Sequence, residues 1–308
     1  MGGLLSSPVT TKETSNGSNG RLNFAVCSMQ GWRVSMEDAF LVNLHVDNQT
    51  SCFGVFDGHG GSEVAQYVSK NFAHQLVINR KFQKGAVEEA LTEVYLRMDA
   101  LMQSQHGNKE LCRLNKQLPS DYKVSISDLE EFECNSGCTA VVSVVKRNKI
   151  YIANAGDSRA VLARQGQAIQ LTTDHKPELE SEYNRVISNG GEIYQGRVNG
   201  GLNLTRALGD FGYKPKRVSP HKHIITALPD VSSVDLQRND DFLVMACDGI
   251  WDILSSQECV DFIYERLNRM SVEDITKEIC DRCLAKSTQE YLGKGCDNMT
   301  IMIIRFSN

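Results

Sequence analysis

The sequence has no basic excess. Its 33 Lys and Arg are outnumbered by 38 Asp and Glu, a formal net charge of −5. Nucleic-acid binders carry a basic face, so that partner class is set aside. No apolar run approaches the length needed to span a bilayer as a helix. The first residues, MGGLLSSPVTTKETSNGSNG, lack the charged n-region and apolar stretch of a secretory leader. The ten cysteines are therefore expected as reduced thiols in a cytoplasmic or nuclear setting. Cys280 and Cys283 form a C-x-x-C, but no second ligand pair stands at zinc spacing, so they read as structural thiols. No segment repeats at a fixed period.

What is present suffices for one large domain or two ordinary ones: 308 residues, 41% of them hydrophobic. Residues 1–20 are polar, rich in Ser, Thr, Asn and Gly, and read as a disordered tail. Within them Met1–Ser6 matches the pattern M-G-x-x-x-[ST] for myristoylation of Gly2. The alternative is an ordinary tail that begins with Gly. One myristoyl chain gives only weak, reversible membrane association.

From residue 21 the chain reads as one domain to residue 308. Strands are expected at 22–27, 40–46 and 52–56. Val64, Val68, Phe72 and Leu76 recur every four residues and predict a helix, followed by a second from about 86 to 102. Residues 105–135 are polar and read as a long loop or insertion. Strands follow at 139–145, 149–153, 160–164 and 168–171, then a helix at 178–188. Residues 190–230, with Pro215, Pro220 and Pro229 and several glycines, read as mobile loop. A strand at 241–247, helices at 256–268 and 272–286, and a strand at 299–306 complete the chain. Strands come in groups and helices in pairs, which favours α+β layers over a doubly wound parallel sheet.

The chemistry concentrates where apolar strands end. Phe53–Phe56 runs into Asp57-Gly58-His59-Gly60-Gly61. Phe242–Cys247 runs into Asp248-Gly249-Ile250-Trp251-Asp252, and Asp297-Asn298 precedes Met299–Ile304. Ile152–Ala155 leads to Gly156-Asp157-Ser158-Arg159, and Glu37-Asp38 stands just before a strand. A single Asp-Gly is an ordinary turn. Five such acidic segments gathered at strand ends would repel one another and raise one another's pKa unless cations neutralise them. All-oxygen ligands suit Mg²⁺ or Mn²⁺ rather than zinc. Two such ions about 4 Å apart form a clamp for in-line displacement at phosphorus.

Together these segments resemble the metal-dependent protein phosphatases of type 2C, which act on phosphoserine and phosphothreonine. The matching stretches are RVSMED (33–38), DGHGG (57–61), SGCTA (136–140), GDSR (156–159), DHKP (174–177), TRALGD (205–210), DGIWD (248–252) and DNMT (297–300). Any one is weak; all in order are specific. The resemblance implies a four-layer αββα fold: an antiparallel β-sandwich flanked by helix pairs, with the metal site in a cleft at one end. It implies that Asp57 bridges two metals, that Asp248 and Asp297 complete the first, and that Glu37 and the Gly58 carbonyl serve the second. Asp38 would orient metal-bound water, and Asp157 and Asp252 resemble ligands of a third, weaker site. Arg33 would grip phosphate oxygens with its planar fork. His59 would protonate the leaving alkoxide. The nucleophile would be a metal-bridging hydroxide, with no phosphoenzyme. Thr139 would support the site. Residues 175–230 match the family's flap, where Arg197, Lys214, Lys216 and Arg217 could meet acidic or phosphorylated substrate, the two lysines being expected as solvated loop charges. The expected partners are phosphoproteins, and the expected state is a monomer.

Two other readings of the sequence compete. Cys27–Arg33 fits C-x5-R, the skeleton of a cysteine-dependent phosphatase loop, which needs a reactive thiolate at a helix N-terminus. Here Val26 replaces the usual preceding His and two acids follow closely. The other rival is a binding module that keeps the fold without the metal ligands. It predicts gaps among Asp57, Asp248 and Asp297, and there are none.

Overall fold

The structure is a computed structural model, and it describes residues 3–289 and 293–307. The chain opens on a long hairpin, β1 (Leu4–Ser18) and β2 (Leu22–Arg33), followed by β3 (Ala39–Asp47), β4 (Thr50–Phe56) and the short β5 (Gly58–His59). Helices α1 (Glu63–Ile78), α2 (Arg80–Gln83), α3 (Val87–Met102), α4 (Gln105–Asn115) and α5 (Ile126–Glu130) come next. Then follow β6 (Gly137–Cys138), β7 (Ala140–Lys146), β8 (Lys149–Ala155), β9 (Arg159–Arg164) and β10 (Gln167–Gln170). α6 (Glu180–Ser188) leads into β11 (Ile193–Tyr194), β12 (Arg197–Val198) and β13 (Leu208–Gly209). The last elements are β14 (Asp230–Asp235), β15 (Asp240–Ala246), α7 (Asp248–Trp251), α8 (Ser256–Tyr264), α9 (Val272–Cys283) and β16 (Met299–Phe306).

Two antiparallel sheets carry the domain. One is six-stranded in the order β1-β2-β16-β15-β9-β10, the other five-stranded in the order β14-β8-β7-β4-β3. Their central strands are apolar on both faces because each face meets a layer. Along β15, Leu243 and Met245 enter the core between the sheets. Phe242, Val244 and Ala246 face α7, α8 and α9. Along β4, Phe53 and Val55 go inward, while Cys52 and Phe56 pack with α1 and α3. Successive side chains of a strand point to opposite faces, so such strands read as continuous apolar runs. The four-residue spacing seen in α1 is the buried stripe Val64, Val68, Phe72 and Leu76. The result is the expected α+β fold in four layers, αββα.

Three expectations are corrected. The polar tail 1–20 is not disordered over 4–18: β1 pairs along β2 as the edge strand of the larger sheet. Backbone hydrogen bonds need no apolar side chains, and Lys12 of β1 reaches Asp281 of α9 at 2.6 Å. Composition therefore misjudged this segment. Gly2, the myristoylation candidate, lies outside the described residues. The polar stretch 105–135 is not one long loop, since α4 and α5 occupy much of it. Ser104 caps α4 and Ser125 forms a capping box with Asp128, while Leu111 and Cys112 are buried. Finally, 190–230 holds β11, β12 and β13 rather than loop alone.

Candidate metal centre

Strand direction brings the acids together. β4 and β8 both run antiparallel to β7, so they end at the same edge. Asp57 follows β4, and Asp157 follows β8 after Gly156. β15 ends where its antiparallel partner β16 begins, which puts Asp248 near Asp297. Glu37 and Asp38 lie in the crossing from β2 to β3.

Carboxylate oxygens of Asp57, Asp157 and Asp248 lie within 4.8 Å of one another, and so do ligand atoms of Asp38, Asp57 and Cys247. Asp57 is thus shared by two clusters. Arg33, Glu37, Gly58, His59 and Asp297 line the same cavity of about 360 Å³. Asp252 stands one turn after Asp248, its amide bonded to the Asp248 carbonyl at 2.8 Å. Among the described residues it belongs to neither cluster.

The electrostatics are those of a site built for cations. Burial, then Asp38, Asp248, Asp297 and Asp157, push the Asp57 carboxyl well above the usual range. Burial and Asp157 do the same to Asp248. Asp38 is pushed up to about 7 by burial, against the hydrogen bond it accepts from Thr300 at 2.7 Å. Such a set ionises together only if positive charge enters. The clustered carboxylates of Asp57, Asp157 and Asp248 are an all-oxygen set of the kind that suits hard divalent cations rather than zinc. A Cβ at Gly58 would lie 2.2 Å from the Glu37 carbonyl oxygen, so only glycine lets these two backbones approach. Cys247 is a ligand of another kind: its soft sulfur does not suit the hard cations that carboxylates bind, and the thiol donates to the Asn298 carbonyl at 3.5 Å.

Supporting contacts fix the acids. The Thr139 amide donates to the Asp57 carbonyl at 2.9 Å, and its hydroxyl bonds Ser158 at 2.7 Å. Glu37 accepts from Ser35 at 2.8 Å and from the Gly61 amide at 3.2 Å. Asn298 accepts from the Glu37 amide at 2.9 Å and donates to the Gln30 and Ser35 carbonyls. Arg33 holds Asp297 at 2.5 Å. Burial works against the guanidinium charge, but Asp297, Asp57 and Asp248 outweigh it and raise the pKa.

Several residues were not singled out beforehand. Asp210 lies 2.8 Å from Nε2 of His59. Burial disfavours the imidazolium, yet Asp210 raises the His59 pKa overall. Lys176 donates to Asp157, and Asn298 clamps the 30–37 segment. All three stand in motifs already noted, TRALGD, DHKP and DNMT, but their partners are remote in sequence. Lys214 is a correction: it is buried, not solvated, and holds Asp99 at 2.6 Å. Lys216 and Arg217 are exposed, and Arg197 lines the cavity.

Cys27 is fully buried within β2, its sulfur 3.7 Å from that of Cys280. The Cys280 contact lowers its pKa, but no helix N-terminus starts there and no substrate reaches it. The C-x5-R spacing is not a phosphate loop.

Residues 22–292 match the family described as Protein phosphatase 2C. The chain is 44% identical to "Probable protein phosphatase 2C 21" of Arabidopsis thaliana over 99% of this chain and 93% of the relative. It is 41% identical to "Protein phosphatase 2C 1" of Paramecium tetraurelia over 99% of both chains. Its fold is similar to the crystal structure of serine-threonine phosphatase 2C from Toxoplasma gondii, with a TM-score of 0.72 at 20% identity and full coverage of both chains.

Proposed function

The chain belongs to the protein phosphatase 2C family of metal-dependent serine/threonine protein phosphatases, and from that premise we propose how its residues divide the work. Asp57 would be shared between two divalent cations, Mg²⁺ or Mn²⁺. Asp248 and Asp297 complete one site; Glu37 and the Gly58 carbonyl serve the other, with Asp38 orienting bound water. Asp157 and Asp252 would hold a third cation more weakly. When bound, the metals would supply a water of lowered pKa and positive charge against the phosphate, chemistry that needs no phosphoenzyme. Arg33 presents its fork to phosphate oxygens, with Asp297 setting its orientation. His59 gives a proton to the leaving serine or threonine oxygen.

The observation that carries this reading is the position of Asp57 at the junction of two groups of donor atoms, with Asp157 and Asp248 on one side and Asp38 and Cys247 on the other. The substrates are phosphoserine- and phosphothreonine-containing proteins. The working state is a cytoplasmic or nuclear monomer, with weak membrane association if Gly2 is myristoylated. EDTA treatment followed by Mn²⁺ addition tests the reading against a phosphopeptide. Activity is expected to vanish and return, and to survive thiol alkylation. Activity that survives EDTA and dies on alkylation would return the cysteine rival.

A further inference from the structure

We propose that Asp210 is the positioning residue of His59, fixing the ring so that Nδ1, not Nε2, carries the proton that reaches the substrate. The inference rests on the general-acid reading of His59 given above.

Four observations converge. Asp210 is 4% exposed, and its Oδ2 lies 2.8 Å from His59 Nε2. The two residues come from opposite strands of one small sheet, ordered β13-β6-β5: His59 ends β5, and Asp210 directly follows β13. Between them, a Cβ on Gly137 would fall 2.2 Å from the Asp210 carboxylate and 2.6 Å from Nε2. The Asp–His contact therefore needs a bare backbone beneath it. Asp210 also sits at φ 49°, ψ 44°, the left-handed region that non-glycine residues seldom occupy. Such a conformation persists where its surroundings over-determine it, commonly at functional sites.

A set of buried contacts supplies those surroundings. The Asp210 amide donates to the Ser136 carbonyl at 3.0 Å. The Gly209 amide donates to Asp99 of α3 at 2.9 Å. Lys214 closes the loop from the other side, donating to Asp99 at 2.6 Å and to the Ala207 carbonyl at 2.7 Å. A buried ion pair thus anchors the segment that carries Asp210.

The chemistry follows from the two ring nitrogens. A carboxylate accepts only, so Nε2 donates to Asp210 and keeps its hydrogen. In the imidazolium, Nδ1 then holds the transferable proton. As the P–O bond to the leaving oxygen breaks, that bond's electron pair goes to the oxygen, and the Nδ1 proton follows. Serine or threonine leaves as the neutral alcohol. His59 remains as the neutral ring with Nε2–H still on Asp210, and solvent returns a proton to Nδ1. An acid on the second residue that orients an imidazole is a recurring device in hydrolases.

Asp210→Asn is the informative variant, since Asn tolerates the left-handed conformation and keeps the shape. Measured with Mn²⁺, kcat toward a phosphothreonine peptide is expected to fall by about 10–100-fold, reaching at most the lower end of what a general acid contributes, since the imidazole itself remains. Toward p-nitrophenyl phosphate, whose leaving group needs no proton, it should fall less than about threefold. His59→Ala should show the same split, and the double variant should be no slower than His59→Ala alone. Losses that multiply in the double variant overturn the proposal. An equal loss on both substrates for His59→Ala overturns the general-acid reading instead; the coupling in the double variant still decides whether Asp210 acts through His59. If Asp210→Asn does not fold, ¹⁵N NMR of His59 in the wild-type protein decides. A neutral ring protonated at Nε2 is expected; one protonated at Nδ1 with bare Nε2 contradicts the assignment.

Discussion

The ammonium of Lys176 donates to Asp157 and lies 3.8 Å from Asp248. It is an internal cation placed among carboxylates that await external ones. Burial disfavours its charge, but Asp157 and Asp248 raise its pKa, so it stays protonated at any ordinary pH. Lys176→Met should raise repulsion among these acids in the metal-free protein and lower its melting temperature. Added Mn²⁺ should then raise that temperature by more than it does in the wild type. A smaller Mn²⁺-induced rise in the variant would contradict this account of Lys176.

The Lys214–Asp99 pair is the second point of leverage. Removing one partner of a buried ion pair typically costs about 3–5 kcal/mol. Burial already pushes Asp99 up despite the ammonium, so Lys214→Met should be met by proton uptake at Asp99. A destabilisation near about 3 kcal/mol is expected from urea unfolding. Asp99→Leu with Lys214→Met should recover part of it, the Gly209 amide remaining unpaired. A silent Lys214→Met would place this lysine among the solvated loop charges after all.

The pH dependence of the 180–206 region has a definite sign. Glu182 is buried and accepts from Arg206, Arg185 and Thr205 at 2.6–2.7 Å. Burial alone would raise its pKa, but Arg206 and Arg185 bring it down to about 2 from 4.5. The stabilisation from a depressed carboxyl is fully present above the unfolded value and is lost as pH falls toward the folded one. It amounts to at most about 3 kcal/mol, lost between about pH 4.5 and 2. Hydrogen exchange of 180–206 at pH 6 and pH 3.5 should show the protection falling. Glu182→Gln should remove most of that difference; an unchanged difference would assign it to other groups.

Gly58 offers a test by geometry alone. In Gly58→Ala the new methyl would meet the Glu37 carbonyl at 2.2 Å, so the 36–38 segment must shift. Mn²⁺ affinity is expected to fall by at least about tenfold, in the range seen when groups that orient metal ligands are removed. Calorimetry that gives wild-type affinity would remove Gly58 from the site.

These residues also mark how far the sequence could be read. The gathering of Asp57, Asp248 and Asp297 at one cavity was foreseeable because each joins an apolar run, and strand ends of a sheet come together at one edge. The layers were legible because β4, β15 and β16 are apolar on both faces. Asp210 was not assigned a role, since its partner is 151 residues away and only the β13-β6-β5 ladder joins them. Lys214 looked like a loop charge because the distant Asp99 that neutralises it leaves no local pattern. The segment 4–18 was misread because an edge strand is held by its backbone, which composition does not report. The helix at 105–115 was missed because only Leu111, Cys112 and Leu114, with one small glycine, carry its buried face.

Asp57 is the residue on which the division of roles depends. Asp57→Asn keeps size and hydrogen bonding but removes the charge shared by both clusters. The direct measurement is Mn²⁺ calorimetry on wild type and Asp57→Asn, alongside phosphopeptide hydrolysis and a melting curve. The expected result is loss of high-affinity Mn²⁺ binding and a fall in kcat of about 10³-fold or more, in a protein that still unfolds cooperatively. Wild-type Mn²⁺ affinity with full hydrolysis in Asp57→Asn would contradict the two-cation site at its centre.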